Sequence, residues 1–338
     1  MKPAKLAVIG VGFWAKFQIP AWREVQGAQL VALCDRDRAK AEAAAQEFGV
    51  AKVYGDAEEL LRSEPLDFVD LAAGPHAHAP LVELAVRHRT PVICQKPMAL
   101  DFATCERLVA ACRAARVPFL VHENYRWQTP MRRLKQLLNE ERIGRPFRAH
   151  LQFGHADLCL YKNQPYLFTE PHFALLDMGP HLLDLPRFFF GEPLCLYARE
   201  FHIHPQFQGQ DIVSVLLGYD RLTCHCELSW RTTQDQVFIE GTTGTLQWGT
   251  DGKLTLVNDA GVSVEPLAPQ PYPWADPRYG FAHPSIVATN AHLLAALRGE
   301  VVAETTAEDN LHTMRLVFAA QDSAARNEVA RFHPPINS

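Results

Sequence analysis

No apolar run in this sequence is long enough to cross a membrane, and the first one, Leu6 to Val11, is too short for a signal-peptide core. There is no basic excess either: a formal charge of -5 over 338 residues gives no electrostatic reason to expect nucleic acid or an anionic membrane as a partner. The eight cysteines (Cys34, Cys94, Cys105, Cys112, Cys159, Cys195, Cys224, Cys226) lie scattered through strand-like and helix-like segments. That pattern excludes a disulfide framework and points to buried thiols in a reducing cytoplasm. Cys224-His225-Cys226 lacks the gap of a zinc motif, and alternation puts both thiols on one strand face and His225 on the other. His155, Asp157, His172 and His181 have no compact ligand spacing of the H-E-x-x-H kind, so no metal is expected. Internal repeats and low-complexity tracts are also missing.

What is present is the composition of an ordinary globular protein, 48% hydrophobic and 21% charged, long enough for two cores. Lys5 to Gly10 reads as a buried strand that breaks at Gly10-Val11-Gly12-Phe13-Trp14-Ala15 and enters a helix. In G-x-G-x-x-A the first glycine permits a tight turn, and the second lets backbone approach a pyrophosphate. The small third residue lets helix and strand pack closely. Gly10, Gly12, Phe13 and Trp14 are therefore the candidate phosphate cradle at the helix start. Pro20 predicts an interruption or kink of that helix within two turns.

The next strand, Gln29 to Cys34, ends in Asp35, 20 residues beyond Ala15, where a carboxylate accepts from ribose hydroxyls. Asp35 favours NAD; the neighbouring Arg36 leaves NADP open, because a guanidinium can pair with a 2′-phosphate. Alternation continues through Val53–Tyr54, Phe68–Ala73, Pro91–Gln95 and Phe119–His122, giving six strands of a doubly wound parallel sheet. Two of their carboxyl ends carry polar groups. One is the loop Gly74-Pro75-His76-Ala77-His78; the other is Gln95-Lys96-Pro97, where the proline stops the strand and leaves Lys96 at the ligand-binding edge of the sheet. Taken alone, the second reads more readily as a solvated lysine at a strand end.

Beyond residue 123 the pattern changes. An amphipathic helix, Met131 to Arg142, precedes strand signals at Phe147–Phe153, Leu194–Ile203, Ile212–Tyr219, Leu222–Trp230, Gln236–Gly241, Thr245–Trp248 and Leu254–Val257. Short turn-rich links make this a mostly antiparallel sheet. Helices follow at Ser285–Leu297 and Ala307–Arg326, and the proline-rich stretch Pro266–Pro284 is long enough to be a functional cover. Within Leu175 to Asp184, spacings of four and three put Asp177, His181 and Asp184 on one helical face, where a carboxylate one turn away can hold one nitrogen of the imidazole. Gly179-Pro180 complicates that spacing, with Pro180 as the first helical residue. A capped core helix with a satisfied histidine is the other reading.

With Gly10 to Ala15, Gln95-Lys96-Pro97 and Asp177-Met178-Gly179-Pro180-His181 in this order, the chain resembles the Gfo/Idh/MocA family, the oxidoreductases related to glucose-fructose oxidoreductase and inositol 2-dehydrogenase. The resemblance implies an α/β protein with an N-terminal Rossmann domain, residues 1–123. A C-terminal α+β domain follows, residues 124–338, with an open-faced, mostly antiparallel sheet for substrate binding and oligomerisation. It further implies an NAD(P)-dependent dehydrogenase moving hydride between nicotinamide and a CH–OH or carbonyl carbon of a sugar, inositol or related polyol, working as a homodimer or homotetramer.

By that match Lys96 is the catalytic lysine at the substrate hydroxyl, and His181 exchanges the proton while Asp177 orients it or binds substrate. Gln95 contacts the nicotinamide ribose, and Gly74, Pro75 and His78 belong to an altered cofactor loop. Arg126, His155 and Asp157 fall where the family places substrate contacts. Gln95 stands where the family usually has glutamate in a Glu-Lys-Pro triplet: it keeps the hydrogen-bonding reach and removes a charge that would hold a proton on the lysine. Two other activities share these motifs, an NAD-retaining lyase or glycosidase and a non-catalytic cofactor-binding regulator.

Overall fold

The computed structural model describes residues 2–155 and 164–332. They divide into two compact units: Met1–Trp127 with Gln270–Met314, and Gln128–Pro269 with Arg315–Ser338.

Unit 1 holds a six-stranded parallel sheet of β1 (Ala4–Ile9), β2 (Ala28–Cys34), β3 (Lys52–Tyr54), β4 (Phe68–Leu71), β5 (Val92–Gln95) and β6 (Phe119–His122), in the order β3-β2-β1-β4-β5-β6. The order reverses between β1 and β4, the topological switch point at which doubly wound sheets bind ligands. The helices between the strands are α1 (Ala15–Glu24), α2 (Arg38–Phe48), α3 (Ala57–Ser63), α4 (His78–Arg87) and α5 (Phe102–Ala115). Asp37, Asp56 and Asp101 cap α2, α3 and α5 by accepting the backbone N–H groups of Lys40, Glu59 and Thr104.

Two expectations change here. The helix α1 runs unbroken from Ala15 to Glu24 with Pro20 inside it. Ile19, Ala21 and Trp22 are fully buried around that proline, and this packing outweighs the single lost backbone hydrogen bond. The single break after residue 123 is likewise replaced by a return of residues 270–314 to unit 1. Ile286, Val287, Leu293 and Leu294 join Leu6, Ile19, Trp22 and Phe68 in one apolar cluster, against which Tyr272 and Trp274 also pack. From residue 270 onward the proline-rich stretch is a packed part of unit 1.

Unit 2 begins with α6 (Thr129–Asn139), whose apolar stripe of Met131, Leu134 and Leu137 is buried. Its sheet comprises β7 (Pro146–Gly154), β8 (Cys195–Phe201), β9 (Ile212–Gly218), β10 (Thr223–Ser229), β11 (Gln236–Gly241), β12 (Gly244–Gly249), β13 (Lys253–Asn258), β14 (Gly261–Pro266) and β15 (Ala330–Arg331). The order is β14-β13-β12-β11-β7-β10-β9-β8-β15, and all pairs are antiparallel except β7 with β10. Strict alternation of buried and outward residues, as in Ala149, Leu151 and Phe153 against His150 and Gln152, gives the sheet one packed face and one open face. Cys224 and Cys226 are buried on the packed face, as alternation predicts, and the cysteines among the described residues are free thiols. The helices are α7 (Phe173–Asp177) and α8 (Gly179–Phe190), then α9 (Ala282–Leu297) in unit 1, and last α10 (Ala307–Arg326). None of these helices is long and apolar enough to cross a membrane.

Candidate active site

The strand–turn–helix of unit 1 has the features a dinucleotide needs. Gly10 sits at φ +94, and a Cβ there would fall 2.4 Å from the Cα and backbone nitrogen of Ala73, so β1 and the end of β4 approach too closely for any side chain. Gly12 is exposed, and a Cβ on it would meet nothing within 4 Å, so the front of the turn is open to a ligand. Helix α1 starts at Ala15, and its Lys16, Phe17 and Gln18 N–H groups already donate to the Phe13 and Trp14 carbonyls, which leaves the backbone N–H groups ahead of them for a ligand. Asp35 anchors the turn: one carboxylate oxygen accepts the Val11 N–H at 2.9 Å and the other accepts the Asp37 N–H at 2.9 Å. Arg36 beside it is exposed. These residues fit a dinucleotide.

The rings of Phe13 and Trp14 pack within unit 1. The Phe13 ring packs edge-on against Phe17 at 5.4 Å, and the Trp14 ring packs edge-on against Phe17 and against His283 at 5.7 Å. Their rings belong to the unit's own packing, which leaves the backbone as their means of touching a phosphate. His283 is enclosed by Phe17 at 3.8 Å and Tyr279 at 4.1 Å, and its Nδ1 accepts the Asp276 N–H. Burial pushes its pKa down to about 4.

At the other two strand ends, Gly74 opens a short helical turn over Pro75–Ala77, and a Cβ on Gly74 would meet nothing within 4 Å. Lys96 is half-buried beyond the end of β5, between the buried Gln95 and Pro97, and the Lys96–Pro97 peptide is cis. His78, expected among the cofactor contacts, is completely buried. Its two ring nitrogens lie 2.8 Å from the carbonyl oxygen of Pro97 and 2.9 Å from that of Ala73. It ties the two loops together from beneath, and desolvation holds its pKa below the usual imidazole range. Arg126, expected at the substrate, is only 6% exposed. Its guanidinium donates to the Glu304 carbonyl at 2.7 Å and the Asp309 carboxylate at 2.8 Å, so we assign it to holding unit 1 together. Asp309 lies 183 positions away, so nothing local to Arg126 signals this pairing.

In unit 2, Asp177 closes α7 and Met178 separates it from α8, which opens with Gly179-Pro180. The expected single helical face is therefore broken. His181 is nearly buried, in the first turn of α8. Asp184 has a structural part: it is fully buried 3.4 Å from Arg187, whose Nε and Nη2 also donate to Glu192. His155 follows β7, half-buried, with its ring 5.7 Å from that of Trp230. Asp157 lies outside the described residues. His172 is bonded to Glu200 at 3.0 Å, which raises its pKa. Among the described residues the group with metal-ligand proximity is a different one, His150, His225 and Glu227 on the open sheet face, where His150 is hydrogen-bonded to Glu227 at 2.7 Å.

Comparison with known proteins agrees with this geometry. Residues 4–123 match a family described as "Oxidoreductase family, NAD-binding Rossmann fold", and residues 131–247 match the "GFO/IDH/MocA C-terminal domain". A D-apiose dehydrogenase from Paraburkholderia graminis is 37% identical over 332 residues, covering 96% of this chain and 88% of its own. A second D-apiose dehydrogenase, from Rhizobium rhizogenes, is 34% identical over 96% of both chains. A crystal structure of an oxidoreductase from Agrobacterium radiobacter, in complex with NAD+, L-tartaric acid and magnesium, superposes with a TM-score of 0.94 at 34% identity, covering 98% of each chain.

Proposed function

This chain belongs to the GFO/IDH/MocA family and is an NAD-dependent dehydrogenase of the sugar and polyol class, and on that premise we propose that its substrate is a small sugar, D-apiose being the first candidate. The observation that supports this choice is a likeness to two D-apiose dehydrogenases that runs through both units rather than through the nucleotide unit alone.

Bound NAD supplies the ring that exchanges hydride with the substrate carbon. The chain's own residues do the rest. Gly10 and Gly12 bring backbone N–H groups to the pyrophosphate, and Asp35 accepts from the adenosine ribose; its negative charge favours NAD over the 2′-phosphorylated form. Gly74, Pro75 and Gln95 line the nicotinamide side. In the nucleotide unit we assign proton exchange with the substrate hydroxyl to Lys96. In the sheet unit we assign it to His181, oriented by Asp177, with His155 and Asp157 as sugar contacts.

The outward side of the unit 2 sheet carries Phe201, Leu216, Val257, Val262 and Val264, each more than a third exposed, which supports a homodimer or homotetramer. The free buried thiols support a cytoplasmic location.

The test is NADH absorbance with purified protein across D-apiose, other pentoses, hexoses and inositols, with NAD and NADP in parallel. NADH forming in step with oxidised D-apiose is the expected result. Activity confined to inositols or hexoses would overturn the substrate. Consumption of substrate with no net NADH would favour a lyase or glycosidase that recycles its cofactor.

A further inference from the structure

A chain of buried side chains in unit 1 ends at the residue before Lys96. It starts at Asp70 in β4, fully enclosed, whose Oδ2 accepts the Trp22 indole N–H at 2.5 Å and the Gln18 side-chain amide at 2.8 Å. An ionised carboxylate only accepts and an indole N–H only donates, so the NH2 end of Gln18 has to face Asp70. The same Gln18 nitrogen lies 3.2 Å from Asn290 Oδ1, which is also 2.9 Å from His122 Nε2. With its nitrogen committed, Gln18 turns its carbonyl oxygen toward position 95, and the amide of Gln95 donates to it at 3.2 Å. Hydrogen-bond polarity thus runs one way, from Gln95 through Gln18 to Asp70.

We propose that Asp70, acting through Gln18, is a positioning residue that makes position 95 an amide: the buried network holds a single carboxylate, and a chain that carries it at 70 carries an uncharged donor beside Lys96. This accounts for glutamine where the family's triplet has glutamate. A glutamate at 95 would set its oxygen against the Gln18 carbonyl. Turning Gln18 over relieves that contact only by setting its oxygen against Asp70, so two acceptors face each other in either arrangement. Burial already raises the Asp70 pKa to about 6, and a second buried carboxylate on the other side of the Gln18 amide adds repulsion to that cost. Asp70 works in two ways: it fixes which end of Gln18 residue 95 meets, and it fills the network's one place for a buried charge.

The experiment is a double-mutant cycle on the full-length protein with Gln95→Glu, Asp70→Asn and the two together. It is read by thermal melting, by NAD binding followed through protein fluorescence, and by steady-state kinetics. Gln95→Glu alone lowers the melting temperature by roughly 5 °C or more, and adding Asp70→Asn restores at least half of that loss, because the single carboxylate has then only moved. The kinetic arm rests on the dehydrogenase reading with Lys96 in its assigned role: Gln95→Glu lowers kcat roughly tenfold with the sugar KM nearly unchanged, and the double variant regains most of it. Additive melting shifts, or Gln95→Glu as stable as the parent, would overturn the relay. Failure to find a sugar substrate would sink the kinetic reading while the melting cycle still decides the relay. If Asp70→Asn does not fold, Gln18→Met replaces it. With the oriented carbonyl removed, the Gln95→Glu penalty shrinks, and an undiminished penalty is the overturning result.

Discussion

The buried His78 imidazole lies 2.8 Å from the carbonyl oxygen of Pro97, one residue past Lys96, while its other nitrogen lies 2.9 Å from the Ala73 carbonyl. One side chain thereby fixes the distance between the loop after β4 and the loop after β5. Because desolvation keeps the ring neutral near pH 7, it carries one N–H, and that N–H serves one of the two carbonyls at a time. His78→Ala removes this tie and leaves a cavity, with an expected loss of about 2–3 kcal/mol of stability and a drop in kcat of roughly tenfold. Denaturant unfolding and turnover on the identified sugar check it; unchanged kcat in a destabilised but folded variant would show that Lys96 does not depend on the tie.

The two fingerprint glycines should respond in opposite ways. Gly10→Ala forces a side chain into Ala73 at a left-handed backbone angle and should cost roughly 2–4 kcal/mol. Gly12→Ala meets nothing in the protein, so its melting temperature should stay within about 2 °C of the parent, while NAD binding weakens by roughly tenfold or more. Melting without cofactor and titration with NAD separate the two.

Arg126 is 7% exposed at its side chain and its partner Asp309 30%, so removing the arginine strands a partly buried carboxylate and a carbonyl. Arg126→Ala should cost about 2–4 kcal/mol. In variants kept below their melting point, KM for the sugar should be unaltered. A selective rise in KM without loss of stability would instead restore Arg126 as a substrate contact.

His283 gives an acid limit to stability. Its folded pKa of about 4 lies below the ordinary 6.5, so the unfolded chain binds a proton more readily than the folded one. The stability it contributes is full above pH 6.5 and is lost as pH falls toward 4, by about 3 kcal/mol at most. Asp70 works oppositely. Its folded pKa is raised to about 6, so its contribution grows as pH falls through 6 toward its ordinary 3.8. Comparing the parent with His283→Phe across pH 7 to 4 isolates the first effect: the parent should lose stability relative to the variant as pH falls, and parallel curves would refute it.

What the sequence determined by itself is what nearest neighbours along the chain decide. The strand–turn–helix at Gly10, the caps Asp37, Asp56 and Asp101, the strand Gln236–Gly241 and the buried pair Cys224 and Cys226 follow from turn chemistry, capping and two-residue alternation. Residues 270–314 joining the first unit, Pro20 inside an unbroken helix, Arg126 paired with Asp309 and Asp70 orienting Gln18 toward Gln95 were decided only by tertiary structure. Each depends on burial or on a partner brought close by the fold, and neither propensity nor periodicity encodes which distant group a polar side chain will meet once water is excluded.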